Sequence, residues 1–165
     1  MKKTLIISML LLVCTFQAFI VGAKLVNDNC INEGDKPMVL VAMQNGRFKD
    51  SVMTVVKSAL EGYSYCVKII PAGDLGKEVI ENYKAAIIVN TCHFGRIGCG
   101  ASKFVKKLNQ REKKKVLLFT TSGSDTWRPK NCAVDCVTSA SKLSRALSTA
   151  DSIIVKTRAI LSGGK

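Results

Sequence analysis

The sequence contains a single histidine, His93, and a single tryptophan, Trp127. One histidine excludes a metal site built from several histidines. His93 also has no acid or base partner beside it in sequence, so its presence alone does not indicate a catalytic pair. Aromatic residues make up only 6% of the chain, and they do not alternate with basic residues as they do on surfaces that stack nucleic-acid bases. We therefore expect no nucleic-acid partner.

Acidic residues are scarce as well. The chain has 12 Asp and Glu against 25 Lys and Arg, which gives a formal net charge of +13. A positive field of this strength attracts acidic partners and anionic membrane surfaces. The densest basic run, at 111–115, precedes a predicted strand and is typical of a solvated helix end.

The first 23 residues have the pattern of a targeting segment. Lys2 and Lys3 form a short basic start, and residues 4–21 are almost wholly apolar. Small residues lead up to Ala23, as they do before a signal-peptidase cleavage site. The pattern predicts a signal peptide at 1–23 and hence an exported protein, either periplasmic or secreted.

Two alternatives to cleavage stay open. Residues 4–23 have about the length of a membrane-spanning helix, so they would also serve as an uncleaved anchor. Cys14 would be the attachment point if the segment carried a lipid. In each case we expect a polar lead-in at 24–36 and one domain at 37–165.

Seven cysteines are present, and loss of Cys14 would leave an even number. An even number in an exported domain indicates disulfides. The shortest loops would be closed by a bridge from Cys92 to Cys99 and another from Cys132 to Cys136. The CxxxC spacing of the second pair, at the start of a predicted helix, leaves a redox pair as an alternative.

Apolar runs alternate with helical patterns along the domain, which predicts an α/β fold with a parallel sheet covered on both faces. The turn after the first run leads into an amphipathic helix. The predicted strands are 38–43, 65–70, 84–90, 115–121 and 152–157, and the predicted helices are 46–60, 101–109 and 134–150.

Three of these segments resemble the flavodoxin-like family. Residues 39–60 are similar to its first strand, phosphate loop and first helix. Residues 86–108 are similar to its third strand, flavin-flanking loop and following helix, and residues 116–124 to its fourth strand and second flavin-flanking loop. The resemblance implies a three-layer sandwich with a five-stranded parallel sheet in the order 2-1-3-4-5. It also implies FMN at the carboxyl ends of strands one, three and four.

The resemblance assigns flavin contacts to a turn and two loops. The turn would hold the phosphate, the loop after the third strand would stack on the ring, and the loop after the fourth strand would donate hydrogen bonds. The residues are Gln44, Asn45, Gly46 and Arg47; Thr91, His93, Phe94 and Gly95; and Thr121, Ser122, Gly123 and Ser124.

The chain departs from the family in two places. The phosphate turn lacks the hydroxyl residues that the family uses, so Gln44, Asn45 and Arg47 would have to bind the phosphate, or the segment is only a tight turn. After the fifth predicted strand, at 152–157, too few residues remain for the family's closing helix. We therefore expect one face of the sheet to be less covered.

The resemblance implies an exported FMN protein that transfers electrons to a redox partner protein or performs flavin-dependent oxidoreductase chemistry. Two other functions stay open. One is a cofactor-free binding or structural module of the cell envelope, and the other is a thiol-disulfide redox protein.

Overall fold

A computed structural model of the chain describes residues 36–130 and 132–163. The predicted signal peptide at 1–23 lies outside the described residues, and so does the lead-in apart from Lys36. Within the described part of the chain, no helix is both long and apolar enough to cross a membrane.

Five parallel strands form one sheet in the order β2-β1-β3-β4-β5. The predicted topology is thus confirmed. The strands are β1 (Met38–Met43), β2 (Cys66–Pro71), β3 (Ala85–Thr91), β4 (Val116–Ser122) and β5 (Asp135–Ala140). The helices are α1 (Arg47–Gly62), α2 (Cys99–Lys107), α3 (Gln110–Lys113) and α4 (Ala146–Leu161), with 3-10 turns at Ala72–Lys77, Ile80–Asn82 and Leu143–Arg145.

Both faces of the sheet are covered, because successive side chains of a strand point to opposite sides. In β1, Val39 and Val41 pack in one core cluster with apolar residues of α1 and α4. Leu40 and Ala42 pack in the other cluster, with residues of α2 and of the segment that joins β2 to β3. The result is the three-layer sandwich that the resemblance implied.

The prediction for the last third of the chain was wrong. The predicted helix at 134–150 begins in the structure as strand β5, and the predicted strand at 152–157 lies inside helix α4. Val137, Leu143 and Leu147 have helical spacing only by coincidence, because they come from different elements and both leucines are exposed. In 152–157, tertiary packing overrides the β propensity of the branched residues.

Helix α4 is the closing helix, which the sequence pattern did not predict. It buries Ala150 and Ile153 in the same cluster as Val52 and Val56 of α1. The expectation of a less covered face is therefore wrong as well. Ile153 and Thr157, four residues apart, are both fully buried, whereas Val155 between them is 66% exposed.

The described residues of the crossover from β4 to β5 form no helix. The crossover spans residues 123–134, which is about the dozen residues that a crossover between parallel strands needs. The predicted disulfide between Cys132 and Cys136 is present, and both residues pack with Val134 against the core cluster on the α2 face. Cys136 lies in β5, so the prediction that this pair starts a helix was wrong.

A partly buried polar network links the β2–β3 connection to edge strand β2. Lys68 donates to Glu78 at 2.9 Å and to the hydroxyl of Tyr83 at 3.1 Å, and Tyr83 in turn donates to Glu78. The hydrogen bond from Tyr83, together with Lys68, lowers the pKa of Glu78 below its ordinary value of 4.5. A carboxyl group whose pKa is lowered by folding stabilises the fold at pH values above its ordinary pKa. This stabilisation is lost as the pH falls through the lowered pKa.

We therefore expect Tyr83→Phe to destabilise the fold by about 1–2 kcal/mol at pH 7, because it removes a hydrogen bond to a carboxylate. The loss of stability on acidification below about pH 4.5 should become smaller in the variant. Urea unfolding between pH 3 and pH 7, monitored by circular dichroism, measures both effects. An acid dependence identical to that of the original chain would contradict the role of this network.

Two buried threonines of α4 allow a second, paired prediction. Among the described residues, the Thr157 hydroxyl has no hydrogen-bond partner, whereas the Thr149 hydroxyl donates to Ser139 at 3.0 Å. Thr157→Val should stabilise the fold by about 1 kcal/mol, and Thr149→Val should destabilise it by a similar amount. Thermal and urea unfolding of both variants test this, and effects of the same sign would contradict it.

Candidate functional site

The candidate site lies at the carboxyl edge of the sheet, between β1 and β3. These strands are neighbours in space but not in sequence, and the connections after them leave on opposite faces. Such a switch point opens a crevice at the strand ends. A cavity of about 510 Å³ lies there, lined by the end of β1, the start of the Ala72–Lys77 turn, the end of β3 and the start of α2.

Three of the sequence-predicted flavin residues line this cavity, namely Gln44, Asn45 and His93. The cavity wall also includes Asn90 and Cys99, which the sequence had not indicated as flavin contacts, and Gly98 and Gly100, glycines at which the backbone could approach a flavin ring closely. The other predicted residues lie elsewhere along the same sheet edge: Gly46, Arg47, Thr91, Phe94, Gly95, Thr121, Ser122, Gly123 and Ser124.

The loop after β3 forms a tight hairpin. His93 and Arg96 exchange two backbone hydrogen bonds of 2.9 Å, and the tip residues Phe94 and Gly95 have φ angles of 49° and 72°. Positive φ at both central positions is typical of a type I′ turn, which is unusual for a phenylalanine. The Phe94 side chain is fully exposed, so the predicted ring-stacking residue faces solvent at the tip of the hairpin.

The loop after β4 is held to this hairpin and to the start of α4. The indole of Trp127 donates to the carbonyl of Gly95 at 3.1 Å. Asp125 forms ion pairs with Lys142 and Arg145, and the hydrogen bond from Lys142 lowers the pKa of the Asp125 carboxyl. The two loops predicted to flank a flavin are therefore connected to each other directly.

The predicted hydroxyls of the β4 loop bond mainly within the loop. The Ser122 hydroxyl donates to the carbonyl of Ser124 at 2.6 Å, and the Ser124 hydroxyl lies 3.0 Å from that of Thr126. A ligand would have to displace these bonds to use the hydroxyls as donors.

Asn90 organises the end of β3 on the α2 face. Its amide nitrogen donates to the carbonyl of Phe119 and to the hydroxyl of Thr120, and its amide oxygen accepts from the N–H of Gly98 at 3.3 Å. The side chain is buried and satisfied, as a buried amide must be. It fixes the start of α2 relative to the strand ends and so shapes the cavity wall.

The α1 face carries a buried cation. Lys49, in the first turn of α1, is only 8% exposed, and its Nζ donates to the hydroxyl of Thr91 at 2.8 Å. Thr91 in turn lies 3.5 Å from the hydroxyl of Thr121. Burial lowers the pKa of Lys49, and Asp50 offsets part of that effect. The positive end of the helix dipole adds to the cost of this ammonium group.

The first turn of α1 is also where a helix offers free N–H groups to an anion. The N–H of Gly46 makes one long hydrogen bond, 3.4 Å, to the carboxylate of Asp50. Arg47, also in this turn, is exposed, so its charge stays solvated whereas that of Lys49 is buried. The arrangement leaves a desolvated ammonium, a hydroxyl and helix N–H groups close together, and these are the donors that bind a phosphate.

Similarity to known proteins appears only at the level of structure. No protein-family model matches the sequence, and no curated protein matches it either. An archaeal flavodoxin superimposes with a TM-score of 0.51 at 9% identity, over 74% of this chain and 98% of the other. Oxidised flavodoxin 2 from Bacillus cereus superimposes with a TM-score of 0.50 at 12% identity, over 73% of this chain and 97% of the other. An NADH:FMN oxidoreductase in its apo form superimposes with a TM-score of 0.54 at 12% identity, over 78% of this chain and 90% of the other.

The chain has a flavodoxin-like fold. With identities this low, the comparisons establish the architecture alone. The flavodoxin-like arrangement places the 44–46 turn, the 93–96 hairpin and the 123–134 crossover at one edge, as the resemblance implied. Among the described residues, no group of three or more metal-binding side chains accompanies them.

Sequence reasoning missed Lys49 and Asn90, although each gave a signal. Lys49 lies three and four residues before Val52 and Met53, so helical spacing places it on the buried stripe of α1. Asn90 ends an otherwise apolar buried run in this flavodoxin-like sheet. In both cases, a polar residue at a position that the pattern marks as buried was the available clue.

The predicted bridge between Cys92 and Cys99 is not formed in the structure, where both are free thiols. Cys66 and the Cys132–Cys136 pair are disulfide-bonded.

We expect Lys49→Met to stabilise the ligand-free fold by roughly 1–2 kcal/mol, because it removes a buried charge that lies near a positive helix end. Urea unfolding at pH 7 measures the change. Arg47→Met is the matched control, since it removes an exposed charge from the same helical turn and should change stability little. Destabilisation by Lys49→Met would show that the hydrogen bond to Thr91 outweighs the cost of burial.

Proposed function

We propose that the chain binds FMN at this edge of the sheet and transfers electrons through it. The observation that carries the proposal is Lys49, a buried ammonium group at a helix N-terminus whose hydrogen-bond partner is a neutral hydroxyl. A phosphate monoester would neutralise this charge and accept hydrogen bonds from the helix N–H groups at the same time.

The residues present fit such a ligand. Lys49 and Thr91 would bind the phosphate in place of the hydroxyls that the family's turn normally supplies. The side-chain amides of Gln44 and Asn45 line the adjoining cavity and would donate to the remaining polar atoms. His93 and the hairpin tip at Phe94 would contact the ring. The bound flavin would supply the one- and two-electron chemistry.

The names of the structural neighbours support this assignment, since two are flavodoxins and one is an NADH:FMN oxidoreductase. The oxidoreductase class belongs to the same proposal, with a redox partner protein or a small substrate as the other reactant. The net charge of +13 favours an acidic redox partner or an anionic membrane surface near the site.

Export also belongs to the proposal. The targeting pattern at 1–23 supports it, and the Cys132–Cys136 disulfide fits an oxidising compartment. An exported electron carrier would have its donor and acceptor outside the cytoplasm.

The test compares FMN with riboflavin, which lacks the phosphate. The full chain should bind added FMN in a titration followed by flavin fluorescence, and Lys49→Met should weaken FMN binding by about 10- to 100-fold, as loss of a charge-assisted hydrogen bond requires. Riboflavin binding should be the same in the original chain and the variant. Arg47→Ala should weaken FMN binding less, because Arg47 is exposed.

Two results would contradict the proposal. A domain that binds neither FMN nor riboflavin would mean that the flavodoxin-like fold serves another purpose here. Equal losses for FMN and riboflavin in Lys49→Met would mean that Lys49 shapes the site without contacting the phosphate.

A further inference from the structure

The two free thiols of the described chain lie on one loop. Cys92 directly follows β3, and Cys99 is the first residue of α2 and lines the cavity. The other three described cysteines are disulfide-bonded. Two reduced cysteines, one of them lining the cavity, contrast with the oxidised cysteines in the rest of the described chain.

The hairpin register brings these two residues near each other. His93 pairs with Arg96, so the chain reverses its direction between Cys92 and Cys99. A side chain at Gly98 would lie 3.4 Å from the carbonyl oxygen of Thr91, which confirms that the two arms run close together at that point.

Cys92 directly follows Thr91 and Cys99 directly follows Gly98, so the two cysteines lie on neighbouring arms of the chain. Disulfides need Cα separations of roughly 4.4–6.8 Å. Because both thiols are free in the structure, one arm must shift toward the other to close the bond.

The loop can make this shift at small cost. The hydrogen bond that fixes Gly98 to Asn90 is long, at 3.3 Å. A side chain at Gly100 would meet no atom within 4 Å, so the first turn of α2 has free space around it. Cys92 is the more firmly held partner, because its N–H donates to the carbonyl of Thr121 at 2.7 Å.

We propose that Cys92 and Cys99 form a redox-active dithiol that exchanges with small disulfides of the glutathione class. This activity goes beyond flavin binding and does not depend on it. Cys99 is exposed and reacts first, whereas Cys92 is half-buried and resolves the intermediate.

The exchange balances in two steps. The Cys99 thiol, after losing its proton, attacks one sulfur of the small disulfide, whose S–S bond breaks and releases one thiol that takes up the proton. The Cys92 thiol, also deprotonated, then attacks Sγ of Cys99 and expels the second thiol. Two protein thiols have lost two electrons and two protons, and one small disulfide has gained them.

Trypsin makes the test direct, because cleavage after Arg96 separates the two cysteines into peptides 85–96 and 97–103. The folded chain is equilibrated with reduced and oxidised glutathione at a series of ratios, then alkylated, digested and analysed by mass spectrometry. We expect the two peptides to be joined by a disulfide at oxidising ratios and to be separately alkylated at reducing ratios, reversibly.

The variants assign the roles. In Cys92→Ser, glutathione should accumulate as a mixed disulfide on peptide 97–103, because the resolving thiol is missing. In Cys99→Ser, peptide 85–96 should react more slowly. The double variant Cys132→Ser/Cys136→Ser is the matched control and should leave the exchange at Cys92 and Cys99 unchanged.

Peptides that stay unlinked at every glutathione ratio would overturn the proposal. A link that forms only after urea is added would overturn it as well, since it would require an unfolded loop. Because no flavin is present in the experiment, its result is independent of whether the chain binds FMN.

Discussion

Strand β1 is the constraint on which the rest of the structure depends. It is hydrogen-bonded along both edges, to β2 and to β3, and its side chains are buried against helices or turns on both faces. A strand enclosed on four sides has no surface on which to place a functional group. Only the chain beyond its carboxyl end is free, and the neighbouring strands end at the same edge. The burial that stabilises the sheet thus decides where the site lies.

Two buried polar side chains at this edge differ in how well the protein satisfies them. Asn90 is buried with its amide donors and its acceptor all hydrogen-bonded within the protein, so its burial leaves no uncompensated desolvation cost and adds specificity to the fold. Lys49 is buried beside the positive end of a helix, and a neutral hydroxyl is a poor counterpart for its charge. The second arrangement makes physical sense when an anion completes it. The 44–46 turn itself carries no hydroxyl, and Lys49 is the third residue of α1.

Much of the fold could be predicted from the sequence. Four of the five strands follow from continuous apolar runs, which are typical of strands buried on both faces. The strand order followed from the resemblance to the flavodoxin-like family and could not be obtained from the runs themselves. Strand β5 was not predicted, because it is an edge strand that pairs only with β4 and its sequence mixes polar and apolar residues. Residues 152–157 were misleading for the opposite reason, since their branched side chains favour a strand in isolation but Ile153 is needed in the core beside α1. Local propensity gave the wrong answer where long-range packing decided the structure.

The candidate site was less predictable because it depends on which face each side chain points to. Asn90 and Thr91 are adjacent in sequence, yet Asn90 borders the cavity on the α2 face and Thr91 meets Lys49 on the α1 face. A contact such as Lys49 with Thr91 joins residues 42 positions apart, and its existence depends on how far α1 leans over the end of β3. Sequence spacing cannot supply that angle. The same alternation places the buried cation Lys49 on one face of this strand end, while Cys92 directly follows the strand and Cys99 begins α2 after the hairpin. A single strand terminus therefore connects the proposed cofactor site to the proposed redox pair.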